Sequence, residues 1–135
     1  MFCLDTNIIV FAMNKRRPEI DARLQTELAV GAPLVVPAIA LFELRYGIAK
    51  SDRREQSMAL LKAFLDDRIE IARFDAEDAA EAGDIRAHLE SIGKPVGAYD
   101  ILIAAQARRR GAVLVTLNRR EFERVPGLMV TDWAT

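Results

Sequence analysis

The chain has 135 residues, 51% hydrophobic and 29% charged, which fits one globular domain and excludes a disordered or collagen-like chain. With 19 basic against 20 acidic side chains the formal net charge is −1, so any RNA or DNA contact needs a local patch rather than a general cationic surplus. The single cysteine, Cys3, excludes an internal disulfide and a thiolate zinc site, and makes a reducing cytoplasm the expected location. No apolar run approaches the ~20 residues that cross a bilayer. An aspartate at position five comes too early for a signal peptide, so a soluble, unprocessed protein is expected.

The apolar run Phe2 to Leu4 predicts a first strand, and Ile8 to Met13 a short helix after it. Pro18 to Val30 reads as a second helix with proline at its start. Leu34 to Val36 then predicts a strand, followed by helices over Ala38 to Ile48 and Arg53 to Leu65. A strand at Ile69 to Ala72 precedes a long helix, Ala76 to Ile92, and a further one at Ile101 to Arg110. Strands at Val113 to Val115 and, more weakly, Leu128 to Val130 complete the chain. Short buried strands alternating with helices predict an α/β sandwich around a mainly parallel, five-stranded sheet, as a single domain spanning residues 1–135. Ligands in such folds bind beyond the carboxyl ends of the strands, which directs attention to the residues that follow each one.

Asp5, Thr6 and Asn7 follow the first strand. Aspartate is a favoured helix cap, so Asp5 is either a cap or the first acid of a site. The helix after the second strand is apolar on nearly every side and is expected to be largely buried, with Ile39, Phe42 and Tyr46 on one stripe and Glu43 beside it. An ionised Glu43 in that setting needs a cation, a metal or a proton. An internal salt bridge with Arg45 or another arginine is the structural alternative, although Arg45 points away from Glu43 on the helical wheel. Asp100 opens another apolar helix, again as a cap or as a third acid. If the first strand is central, the three carboxylates converge on one cleft and repel one another. A hard divalent cation, magnesium or its substitute manganese, keeps them ionised and activates water for attack on phosphorus. A sugar-cleaving carboxylate pair lacks aromatic platforms in a chain with 7% aromatic residues.

After the fourth strand, Thr116 and Asn118 suit hydrogen bonds to metal-bound water or phosphate, and Glu121 offers a fourth carboxylate. Arg119, Arg120 and Arg124 suit a phosphate backbone, the alternative being an asparagine turn with a solvated basic rim. Charge is uneven along the chain: Asp75 to Glu90 carries six acids and one arginine, Gln106 to Arg124 six arginines and two acids. That asymmetry reads either as a functional surface or as solvated helix faces. His88, the only histidine, is expected to face solvent, and the absence of a phosphate-cradling glycine loop argues against nucleoside-triphosphate hydrolysis.

In order, Leu4-Asp5-Thr6-Asn7, Phe42-Glu43-Leu44-Arg45-Tyr46-Gly47, Gly97-Ala98-Tyr99-Asp100, Thr116-Leu117-Asn118-Arg119-Arg120-Glu121-Phe122 and Asp132-Trp133 resemble the PIN-domain toxins of the VapC type, over essentially the whole chain. The resemblance implies a PIN-like three-layer sandwich. It also implies a magnesium-dependent endoribonuclease acting on structured RNA such as tRNA, the toxin half of a toxin-antitoxin pair silenced by a VapB-like antitoxin. A homodimer is the expected assembly. By matching motif positions, Asp5, Glu43 and Asp100 take metal-binding and catalytic roles. Thr6, Asn7, Thr116 and Asn118 set the geometry around them, and Arg119 and Arg120 contact substrate. Many relatives carry aspartate where this chain has Asn118, so Glu121 is the candidate replacement charge and one or two metals remain open. The antitoxin is expected to insert an arginine or lysine among the three acids, docking on helices Pro18 to Val30 and Arg53 to Leu65. Two alternatives stand beside this reading. One is a catalytically silent PIN-like module binding RNA or protein; the other is a phosphatase using Asp5 as nucleophile, which usually needs a second aspartate where Asn7 stands.

Overall fold

The computed structural model describes residues 1–134. Five strands alternate with seven helices: β1 (Phe2–Leu4), α1 (Thr6–Asn14), α2 (Pro18–Ala29), β2 (Leu34–Pro37), α3 (Ala38–Ala49), α4 (Arg54–Phe64), β3 (Ile69–Ala72), α5 (Ala76–Ser91), α6 (Ala98–Arg109), β4 (Val113–Val115), α7 (Arg119–Phe122) and β5 (Met129–Thr131). The sheet order is β3-β2-β1-β4-β5 and every neighbouring pair is parallel. β1 is therefore central, with Cys3 in register with Val35 on one side and Leu114 on the other. Such strands read as continuous apolar runs because both faces must be covered. Cys3, Leu4 and all of β2 are buried accordingly.

Local chemistry explains the helix starts. Pro18 occupies the first turn of α2, where its missing N–H would have had no partner. Asp75 and Asp78 form a reciprocal capping box at α5. The chain passes from β2 into α3 without a loop, so Glu43 lies less than two turns beyond a strand end. α1 packs against α2, α3 and α4, while α5 runs along α6, whose Ala104, Ala105 and Ala107 are fully buried and allow close approach. Trp133, with φ of 60°, folds the end of the chain back onto Phe2, ring centroids 5.3 Å apart.

Three expectations change. α1 and α6 begin two and three residues earlier than the apolar periodicity indicated, because polar first turns belong to the helix without adding to its stripe. Asp100 is consequently a first-turn residue of α6, and Gly97 is the cap. α7, a single turn, is too short to show periodicity and was not expected. Finally, α3 is not largely buried: Ala40 and Leu44 face the core, but Phe42 and Tyr46 remain 49% and 58% exposed. One buried stripe suffices to hold a helix, so an apolar opposite face is left for something else.

Candidate active site

The site is assembled at the carboxyl end of the central strand. Asp5 follows β1 directly and its backbone N–H donates to the Val115 carbonyl at 3.0 Å, which locks the residue to the end of β4. Its side chain caps α1, Oδ1 accepting the Thr6 N–H at 2.8 Å, while Oδ2 accepts the Thr116 hydroxyl at 2.7 Å. The cap and the candidate site acid are thus one residue in one conformation. Asp5 is only 6% exposed, and burial is the main reason its pKa is raised, with Glu121 adding repulsion against the lowering effect of the two hydrogen bonds.

Glu43 reaches the same region from α3. Its Oε1 accepts the Thr6 hydroxyl at 2.7 Å, so Thr6 touches one acid through its backbone and another through its side chain. Arg45 makes no ion pair with Glu43 among the described residues, which removes the internal salt bridge as an account of that acid. Asp100 is half-buried in the first turn of α6. Burial first, then the charges of Asp5, Glu121 and Glu43, push its pKa up to about 6. Four acids therefore share one electrostatic environment.

Glu121 holds this corner together. Its Oε1 accepts the Gly97 N–H at 3.1 Å and its Oε2 the Asn118 amide at 2.7 Å, and these bonds, Asn118 first, draw its pKa down. The α7 turn is thereby tied to the start of α6. A side chain at Gly97 would stand 3.6 Å from the Asp100 carboxylate, so glycine leaves that group's approach open. Thr116 is fully buried and accepts the Asn118 N–H at 3.0 Å while it donates to Asp5. Asn7 and Arg120 are exposed on α1 and α7. Arg119 is engaged within the fold, 3.2 Å from Glu123 and 3.6 Å from Asp132, and Arg124 donates to the Pro95 carbonyl. Of the basic residues expected to face phosphate, Arg120 is the exposed one left without such a tie among the described residues.

The uneven charge along the chain resolves into internal pairs. Arg108 meets Glu81 at 2.9 Å, Arg109 meets Asp75, Glu77 and Asp78, and Arg110 meets Asp78 at 3.0 Å. The acidic α5 and the basic end of α6 neutralise each other, and that asymmetry belongs to folding. His88 is exposed, as expected.

The oxygen donors suit a hard cation. Asp5, Glu43 and Asp100 have no lysine or arginine partner among the described residues, and Asp100 already shows the repulsion a cation would relieve. Among the described residues no three acidic, histidine or cysteine side chains stand close enough to hold a metal ion between them. Magnesium ordinarily uses one or two carboxylates and keeps several waters, so the fit rests on the charge and oxygen chemistry of the acids. What sequence reasoning missed is Thr6 as the bridge between Asp5 and Glu43, and the exposed rings beside Glu43. The Phe42-Tyr46-Lys50 spacing of four was the available signal for the latter.

The family described as PIN domain matches residues 2–128. The tRNA(fMet)-specific endonuclease VapC of Shigella flexneri is 39% identical over 133 residues, covering 98% of each chain. Ribonuclease VapC2 of Rickettsia felis is likewise 39% identical over 133 residues with 98% of each covered. Among solved structures, VapBC2 from Rickettsia felis bound to a DNA fragment from their promoter superimposes with a TM-score of 0.90 at 37% identity, covering 98% of each chain. A VapBC complex of Salmonella typhimurium bound to DNA gives 0.89 at 39% identity, covering 98% of this chain and 97% of that one.

Proposed function

The chain belongs to the PIN-domain family, and from that premise we propose that it is a VapC-type toxin, a single PIN domain that hydrolyses RNA with magnesium or manganese in the cytoplasm. The observation that carries the reading is the grouping of Asp5, Glu43 and Asp100 without a lysine or arginine partner among the described residues, their charges adding to burial in pushing the Asp100 pKa up to about 6. Asp5 and Asp100 would hold the ion and Glu43 would bind it through water or orient the nucleophile. A divalent ion bound there supplies charge neutralisation at the phosphate and lowers the pKa of water.

The rest follows from the chain's own groups. Thr116 fixes the Asp5 carboxylate by its hydroxyl hydrogen bond, and Thr6 fixes Asp5 and Glu43 relative to each other. Glu121 sets the start of α6, adds negative charge, and stands in for an acid at the position of Asn118. Arg120, exposed on α7, is the residue we assign to a substrate phosphate. The relatives' names support tRNA, and initiator tRNA in particular, as the substrate. The VapBC complexes support a VapB-like antitoxin as partner. In place of the α2 and α4 walls expected from the sequence, we assign the antitoxin's apolar segment to a cleft between α1 and α3, lined by Val10, Met13, Leu44 and Ile48 and reaching Thr6 and Glu43, with a basic side chain extended into the acids.

The test is incubation of the purified chain with total tRNA and magnesium, with cleaved ends mapped by primer extension. Cutting of initiator tRNA that stops with chelator and with added antitoxin is the expected result. Binding of tRNA with no metal-supported cleavage favours the silent module instead.

A further inference from the structure

All the exposed aromatic side chains among the described residues lie on one patch. Phe42, Tyr46 and Tyr99 are 49%, 58% and 51% exposed, whereas Phe122 and Trp133 are buried and the remaining phenylalanines half-buried. Phe42 and Tyr46 are four residues apart on α3, and Tyr99 immediately precedes Asp100 on α6. The two helices bring Phe42 and Tyr99 edge to face, ring centroids 5.5 Å apart at 60°, an arrangement that leaves ring surface uncovered. Lys50, one turn beyond Tyr46, holds its ammonium 4.7 Å from that ring's centroid.

These groups line a cleft of about 520 Å³ whose other wall is Thr6 and Glu43. The shelf is therefore continuous with the acidic site. Its lining contains three rings, one cation and no aliphatic side chain, in contrast to the neighbouring cleft between α1 and α3 with its valine, methionine, leucine and isoleucine. Gly47 lies at the junction of both clefts. A side chain there would meet no protein atom within 4 Å, so the fold itself does not require glycine in this helix interior, and its absence of a side chain keeps the cleft floor open.

We propose that Phe42, Tyr46 and Tyr99 form a stacking subsite for an unpaired nucleobase of the RNA strand, next to the bond that is cut, with Lys50 receiving the adjoining phosphate. The proposal rests on the endoribonuclease reading and deepens it. Flat π-faces beside a cation accept any base, which is how single-stranded nucleic acid is gripped without sequence readout. The patch thus selects splayed-out, unstacked nucleotides, as in a tRNA loop, over duplex.

The experiment uses the full chain in chelator with a short unstructured RNA carrying 2-aminopurine, whose fluorescence is quenched on stacking. Wild type is expected to quench it, and Phe42→Ala, Tyr46→Ala and Tyr99→Ala to weaken binding by roughly 5- to 150-fold each, the range for loss of one base–aromatic stack. Tyr46→Phe should retain binding, Gly47→Ala should raise Tm yet weaken it, and Leu60→Ala, an exposed residue of α4, should change nothing. With magnesium and tRNA the same ring variants should raise KM with kcat nearly unchanged. Equal quenching by wild type and all three ring variants overturns the proposal. So does a shift to a smaller species in sedimentation velocity, which makes the patch a contact between two copies, or loss of antitoxin inhibition with KM unchanged, which makes it a protein surface. Quenching without any magnesium-supported cleavage sustains the subsite and rejects the nuclease reading, so the two failures are separable.

Discussion

Asp5 and Asp78 are both buried aspartates, 6% and 0% exposed, and they sit in opposite surroundings. Burial alone would raise the Asp78 pKa, but hydrogen bonds from Arg110 and Arg109 and from the Asp75 backbone outweigh it and draw the value down. Asp5 receives a hydroxyl and one backbone N–H, no guanidinium, and further negative charge from Glu121, so its pKa is raised. The first arrangement joins α5 to α6. The second leaves anionic charge uncompensated at a strand end, a cost to folding that is sensible only where a cation or cationic partner is bound.

The sharpest way to break this comparison is to remove one acid from each region. Asp5→Asn or Asp100→Asn should cut metal-supported RNA cleavage by at least about 10²-fold, the scale of losing one charge-stabilising group, while Tm holds level or rises because repulsion is relieved. A variant cleaving at the wild-type rate would place the reaction elsewhere. Asp78→Ala should do the reverse. It takes the buried carboxylate from between Arg109 and Arg110 and removes one half of the capping box, the bond from the Asp75 N–H, costing about 2 to 4 kcal/mol in urea unfolding, on the low side for a buried pair because Arg109 retains Asp75 and Glu77 and the two arginines keep 28% and 20% of their side-chain surface in water. Cleavage per folded molecule should be unchanged.

A smaller effect is expected at Thr116, which touches the acid rather than the substrate. Thr116→Val keeps the shape but removes the hydrogen bond to Asp5, and should lower cleavage about 10- to 100-fold, with Thr116→Ser restoring most of it. Equal rates for Val and Ser would show that the hydroxyl does not position Asp5.

The gentlest probe is pH. Asp100 is pushed up to about 6 in the folded protein, whereas an unfolded aspartate titrates near 4, roughly the free value. Between those values the folded state keeps a proton that the unfolded chain has released, so this group makes the metal-free protein less stable as pH rises from about 4 to about 6. Asp100→Asn should remove that slope. Because a cation favours the ionised carboxylate, the Tm gained on adding magnesium should grow across the same interval in wild type. A magnesium effect that is flat with pH would separate Asp100 from the ion.

The residues of the site were legible in the sequence to different degrees. Asp5 stood out as an acid ending an apolar run, Glu43 and Asp100 as lone acids in or opening apolar helices, and Glu121 only as a further carboxylate shortly after a strand. The five parallel strands were legible for a related reason: strands buried on both faces must be apolar throughout, and their alternation with helices leaves few topologies. The tertiary structure decided which charges are neutralised. Arg119 and the arginines of α6 looked equally available along the chain, yet each meets acids supplied by another segment or by its own turn. It also decided that the apolar stripe of α3 carrying Phe42 and Tyr46 faces outward. Periodicity states that a helix has an apolar face, but which of two apolar stripes is covered depends on neighbours distant in sequence, and here Leu44 turned inward while the rings met Tyr99 at the surface. Thr6 bridging two acids 38 positions apart in the chain, Asp5 and Glu43, is likewise a product of the fold, because a hydroxyl carries no mark in sequence of the partner that the chain will bring to it.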